Sequence, residues 1–336
     1  MQAGFDIFTK EQSKSIKGLF AIVVLLHHIY QKMDICQNMQ FVDYFMRSLG
    51  YLGVSVFLFV SGYGLYKSME VVKMSRNSTD GGGYKVLLHR VLPIFFINIF
   101  LIVIYSLFRY FMLGELDLNN CLRSIAFGGN TAANGWYLQA IMWFYLAFII
   151  ISQISFKRLL PVLSALILVY MAWCFFNGTH LWWYISSLAF PVGAIMSKYS
   201  YKWNKILRGK VLFSIAAALF IAFYLLHYFV VPSDRYISLI VFCCLPAYIV
   251  LFSLLVYLSS AWISYKSKVL DFLGHYYLEI YVLQGLIFIA LRNNYWTLSN
   301  PWLFAIFSII GTLLFAIIAK PIFTFIQTKT RKLVYA

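Results

Sequence analysis

Two side chains eleven residues apart carry the first hint of chemistry. Lys17 and His28 lie in SIKGLFAIVVLLHHIYQ, an otherwise apolar stretch. At about 100° per residue, eleven residues come within roughly 20° of three full turns, so a helix sets both on one face, about 16 Å apart. His27 points roughly 100° away from that face. Ionisable groups at membrane depth are costly, and they usually face a bundle interior or a watery cavity where they serve function. A cation near the helix mouth and an imidazole inside it describe a polar path that ends on a base. The plainer alternatives are a Lys17 that snorkels to the headgroups and a His28 satisfied within the core. The shared face argues against both.

A second constellation lies in LDFLGHYYLEIYVLQGLIF, where Asp271, His275 and Glu279 are spaced i, i+4, i+8. One helix would hold the three within an arc of about 80°. Glu279 falls near the middle of that segment, where a carboxylate stays ionised only beside a cation or an imidazolium. Lys17 and His28 are the expected counterparts, and the alternative is a buried polar brace between helices. The third element is Arg90 in LLHRVLPIFF, with His89 beside it and Lys85 upstream. A guanidinium presents a planar fork of donors that suits phosphate. Aromatics gather at Trp136 and Tyr137 and again in HLWWY, with His180, Trp182, Trp183 and Tyr184. They fit an interfacial belt or a platform on which a sugar stacks. No GxSxG or HExxH motif is present. The five cysteines form no CxxC pair, so no metal site is expected. Cys36 and Cys121 both fall in outer loops, and a disulfide between them stays open if the outside is oxidising.

The elements that must position these residues follow from composition. The chain is 62% hydrophobic and 11% charged, with a mean hydropathy of +0.80, whereas soluble domains carry about 25% charged residues. This is an all-α polytopic membrane protein by composition. Ten apolar segments are each about long enough to cross a hydrocarbon core: 15–33, 49–67, 91–113, 135–153, 159–177, 181–198, 211–230, 237–258, 269–290 and 302–323. With both termini cytoplasmic, only Lys32, Arg47, Arg109, Arg123, Arg235 and Arg292 of the 27 Lys and Arg fall outside, as the positive-inside rule asks. The net charge of +16 is therefore read as topology and not as nucleic-acid binding. Residues 1–336 are expected to form one integral domain, with no separate soluble domain. The first segment is read as an uncleaved anchor. Pro191 and Pro246 are expected to kink the sixth and eighth spans, and Pro93 to open the third.

These stretches resemble the membrane-bound acyltransferase-3 family, ten-span acyltransferases that modify bacterial surface glycans and related molecules. KGLFAIVVLLHH is similar to its first-span motif, with Lys17 and His28 as the basic residue and the histidine. YLGVSVFLFVSGYGL is similar to its glycine-rich second span ending at Ser61-Gly62. HRVLPIFF, LGHYYLEIYVLQ and, more weakly, WYLQAIMWFY complete the likeness. Several positions depart from the family pattern. Lys17 stands where arginine is frequent, Leu87 replaces an upstream arginine, and Gln284 stands where a histidine often ends the late helix. The span-four segment also lacks a glutamate that many relatives carry.

The resemblance implies an acyl-CoA donor, most often acetyl-CoA, approaching from the cytoplasm, with no tightly bound cofactor. Arg90, Lys85 and His89 would meet its phosphates. His28 would act as base or carry the acyl group briefly, and Lys17 and Glu279 would complete the catalytic set. Ser61, Trp136, Tyr137, Trp182 and Trp183 would face the acceptor, a glycan or lipid-linked saccharide of the bacterial plasma membrane. The transfer is expected to finish within the membrane domain or on a partner. A proton-coupled carrier for a glycan or small metabolite is the competing reading, since buried Lys, His and Glu also suit one. A membrane glycan polymerase is a third, disfavoured by the short outer loops.

Overall fold

The computed structural model describes residues 8–33, 39–75, 82–200, 210–229 and 235–333, and a few side chains within these helices, Lys85 among them, lie outside the described set. Among the described residues the helices are α1 (Lys10–Met33), α2 (Gln40–Ser75), α3 (Gly82–Leu113), α4 (Leu118–Ala126), α5 (Gly135–Ile154), α6 (Leu159–Phe176), α7 (Ala189–Lys198), α8 (Lys210–Phe229), α9 (Arg235–Ser259), α10 (Lys268–His275), α11 (Tyr277–Leu291) and α12 (Pro301–Leu333), with no strand. The chain divides into two compact units. The first holds Met1–Phe20, Tyr44–Asn77 and Ser155–His275, and the second holds Ala21–Asp43, Ser78–Ile154 and Tyr276–Ala336.

Among the described residues seven helices are long and apolar enough to cross a membrane, or eight if α10 and α11 count as one broken span. The protein is therefore all-α and polytopic. The sequence expectation of ten single helices is modified at three places. α1 is not among the seven, because its apolar run is short, bounded by Lys14 and Lys17 on one side and by His27, His28, Gln31 and Lys32 on the other. Segment 181–198 is a short 3₁₀ turn, then turns, then the ten-residue α7. Pro191 consequently sits in the first turn of α7, where a missing N–H costs nothing, and does not kink a long span. Segment 269–290 is interrupted at Tyr276 (φ −109°, ψ 10°). That break ends the helical phase, so Asp271 and His275 on α10 do not continue in one stripe to Glu279 on α11. Pro246 does lie inside α9. Pro93 lies inside α3, which begins upstream at Gly82.

The first unit is held by close backbone crossings. A Cβ at Gly62 would strike the Phe190 carbonyl, and one at Gly193 would strike the Phe59 carbonyl, so α2 and α7 meet where only glycine fits. Gly18 and Gly274 do the same for α1 and α10. Nearby, the Ser15 hydroxyl donates to Asp271 Oδ1 at 2.6 Å. A ring cluster of Phe8, Phe59, Tyr63 and Tyr257 fills the core below α2.

The second unit is organised around α11. Along α3, Arg90 acts electrostatically on Tyr277, Tyr105 bonds Val282, and Leu113 bonds Asn294, so α3 and α11 run parallel. The final part of α1 runs the same way, with His28 meeting Gln284 and Lys32 meeting Arg292. α12 runs opposite: Lys320 meets Glu279, and Phe304 packs on Phe288 with ring centroids 5.8 Å apart.

Candidate active site

α11 is unusually well tied for an apolar helix. The Tyr105 hydroxyl, fully buried on α3, donates to the Val282 carbonyl at 2.7 Å. Asn134, the described non-glycine residue with a left-handed backbone (φ 60°), donates its amide to the Tyr281 carbonyl at 2.9 Å. Asparagine tolerates that conformation better than most side chains. Between these ties lies Gly285, where a Cβ would collide with Ala133 and with the Tyr105 hydroxyl.

Gln284 follows. Its Nε2 donates to the Tyr281 carbonyl at 2.8 Å. A carbonyl only accepts, so this bond assigns the NH₂ end of the amide and turns Oε1 toward the other neighbour. That neighbour is His28, whose Nδ1 lies 3.2 Å from Oε1. An acceptor facing Nδ1 puts the proton there and leaves Nε2 with the lone pair. A carbonyl, an amide and an imidazole thus make a relay that fixes the tautomer. His27 is more buried than its neighbour, at 4% exposure, and stacks edge-on to His28 at 5.0 Å.

Glu279 is fully buried, and Lys320 on α12 is its ion-pair partner at 3.1 Å. The sequence reading paired it with Lys17 or His28 instead. Lys320 also lies 5.7 Å from the Tyr276 ring centroid. Toward the start of α3, His89 and Arg90 are half-buried, and both Arg90 and Arg331 bear electrostatically on His89. Antiparallel packing of α3 and α12, pinned by the Phe100–Phe323 ring contact at 5.9 Å, brings Arg331 to that end. Lys85 lies on α3 with its side chain outside the described residues.

The remaining sequence candidates are spread over both units. Lys17 is half-buried on α1 within the first unit, whereas His28 belongs to the second. Ser61 is half-buried on α2 in the first unit. Trp182 stacks on His180 at 4.2 Å, and Trp183 is buried, its carbonyl accepting from the Tyr170 hydroxyl. In the second unit Tyr137 is buried against Tyr281 at 5.3 Å, and Trp136 is half-buried. No cluster of metal ligands occurs among the described residues. Cys121 is a free thiol, and Cys36 lies outside the described residues.

Residues 13–320 match the family model Acyl_transf_3, described as an acyltransferase domain. The chain belongs to the acyltransferase-3 family. No curated protein and no solved structure matched it. For this acyltransferase-3 protein, sequence reasoning gave no role to Tyr105, Asn134, Lys320 or Arg331. Tyr105 sits unremarked in an apolar run. Lys320 and Arg331 were counted as inner-loop charges. The motif Asn-Gly at 134–135 was a turn signal that went unused. Gln284 was noticed only as a departure from the family pattern, yet it is the side chain that orients His28.

Proposed function

We propose that this protein is an O-acyltransferase. It moves an acyl group, acetyl by expectation, from cytoplasmic acyl-CoA to a hydroxyl of a cell-envelope glycan or lipid-linked sugar in the bacterial plasma membrane. The observation that carries this reading is the Tyr281–Gln284–His28 relay, which leaves Nε2 of His28 as a base. Nε2 takes the acceptor's hydroxyl proton as that oxygen attacks the thioester carbonyl. The C–S bond breaks, an ester forms, and the imidazolium returns the proton to the departing thiolate. His89, Arg90 and Arg331, with Lys85 upstream, supply the cationic end for the donor's phosphates. Glu279 and Lys320 sit between the two, about 7.5 Å back along α11 from Gln284, and flank the pantetheine arm. By the family likeness Lys17 keeps a share in catalysis, and Ser61, Trp136, Tyr137, Trp182 and Trp183 a share in acceptor recognition. The parallel run of α1, α3 and α11 fits the alternation of a ten-span chain embedded in lipid, and the cytoplasmic placing of both termini rests on the distribution of Lys and Arg.

The test compares adjacent histidines. His28→Ala should abolish transfer from acetyl-CoA, a loss of about 10²–10⁴ in rate for a general base. His27→Ala should keep most of it, because the bond to Gln284 that orients the base is made by His28. Equal tolerance of the two substitutions in folded, purified protein would overturn the mechanism.

A further inference from the structure

A cleft of about 400 Å³ opens on the second unit where α3 turns into α4, within the size range of small-molecule sites. Its walls include Arg109, Glu115, Asp117, Asn120, Cys121 and Thr131. The walls are held by backbone capping. Gly114 at φ 69° ends α3, and the Glu115 N–H returns to the Arg109 carbonyl at 3.2 Å. Asp117 caps α4 by accepting from the Asn120 N–H at 2.9 Å. Asn120 Oδ1 accepts from the Asn130 N–H at 2.9 Å, which leaves the NH₂ end of that amide to donate. Arg109 Nη1 stands 3.6 Å from Glu115 Oε2, beyond hydrogen-bonding length, and its buried Nε has no hydrogen-bond partner. An unsatisfied buried donor calls for an explanation.

The chemistry of the walls selects the ligand. Fixed donors from Arg109 and Asn120 alternate with carboxylate acceptors from Glu115 and Asp117. A sugar hydroxyl both donates and accepts, so neighbouring hydroxyls satisfy both kinds of wall at once. An anion would meet two carboxylates against one guanidinium, and an apolar ligand would leave the Arg109 Nε donor unpaired. The position also fits. Arg109 lies four residues beyond Tyr105, which bonds Val282, and Gln284 lies two residues beyond Val282. With α3 and α11 parallel, the cleft stands at the level of His28 or farther toward the Lys32 end. The loop that carries Thr131 runs on to Asn134, which holds the Tyr281 carbonyl. We infer that this cleft is the acceptor subsite and that it binds a neutral saccharide through its hydroxyls, an assignment that rests on the O-acyltransferase reading.

Cys121, half-buried with its sulfur 3.2 Å from the Ser106 hydroxyl, is a built-in reporter. Protein in lipid nanodiscs free of sugar detergents would be alkylated with N-ethylmaleimide, and the Cys121 peptide followed by mass spectrometry. Maltotriose, lactose and mannobiose present gluco, galacto and manno hydroxyls, and digalacturonate is the acidic control. At least one neutral sugar should slow alkylation several-fold and digalacturonate should not. Arg109→Gln should remove the protection, and so should Glu115→Gln, a more exposed position that leaves α3 untouched. Unchanged alkylation with all three neutral sugars, or better protection by digalacturonate, would overturn the assignment. Acetyl-CoA binding and transfer measured on the same samples separate the two readings. Transfer without protection removes the cleft and leaves the enzyme, whereas protection without transfer does the reverse.

Discussion

Lys320→Met removes the cation that faces Glu279 and nearly preserves side-chain volume. The pair is 3.1 Å apart, with Glu279 1% and Lys320 22% exposed. Glu279 Oε2 has no hydrogen-bond partner, so the carboxylate leans on Lys320 for its compensation. At an effective dielectric of about 20, the attraction at this distance is about 5 kcal/mol, set against a desolvation penalty of several kcal/mol per ion. Losing Lys320 leaves a buried, uncompensated charge, and about 3–5 kcal/mol of stability should go with it. Glu279→Gln should cost less, about 1–3 kcal/mol, because Lys320 is partly exposed and keeps its place beside the Tyr276 ring. The double variant should return to near the parent, since a neutral pair needs no compensation. The assay is unfolding in mixed micelles followed by tryptophan fluorescence, treated as a double-mutant cycle. Single costs that add to within about 0.5 kcal/mol would refute the buried-pair argument. Transfer should fall in all three variants if the pair flanks the donor arm.

Arg90→Ala and Arg331→Ala should each weaken acetyl-CoA binding by about 1.5–3 kcal/mol, read by calorimetry, and Lys85→Ala by less. Affinity that is unchanged in both arginine variants would move the donor site elsewhere. Gln284→Ala should slow transfer while leaving acetyl-CoA binding intact, whereas Gln284→Glu keeps an acceptor toward Nδ1 and should retain more activity. An alanine variant as fast as the parent would remove the relay from the mechanism. Gly274→Ala puts a methyl against the Lys14 carbonyl and should cost about 1–3 kcal/mol of stability as overpacking, seen in the same unfolding assay.

Much of the architecture was legible because it rests on local pattern. Segments 135–153 and 159–177 coincide with α5 and α6 almost to the residue, since a long apolar run has one economical conformation in lipid. His28 stood out because an imidazole is conspicuous in such a run. Segment 181–198 misled for the same reason: its apolar content is high, yet residues 181–188 form turns packed in the first unit's core. The Asp271–Glu279 stripe failed because no proline marks the break at Tyr276. Partners separated by long stretches of chain were invisible. Nothing in the local sequence says that Lys320 answers Glu279, or that Tyr105 and Asn134 converge on adjacent carbonyls of α11. Such pairings are decided by tertiary packing, which single-sequence periodicity does not encode.

The ties on α11 also bear on the competing carrier. Alternating access works by rocking one group of helices against another around a central site. α11 is stapled to α3 by Tyr105, to the 127–134 loop by Asn134, and to α1 by His28. Each such bond is worth about 0.6–2 kcal/mol within a membrane, and a rocking stroke of α11 against these neighbours would break them together on every cycle. A stapled helix suits the opposite economy of an acyltransferase, in which the scaffold stands still and the transferred group does the travelling.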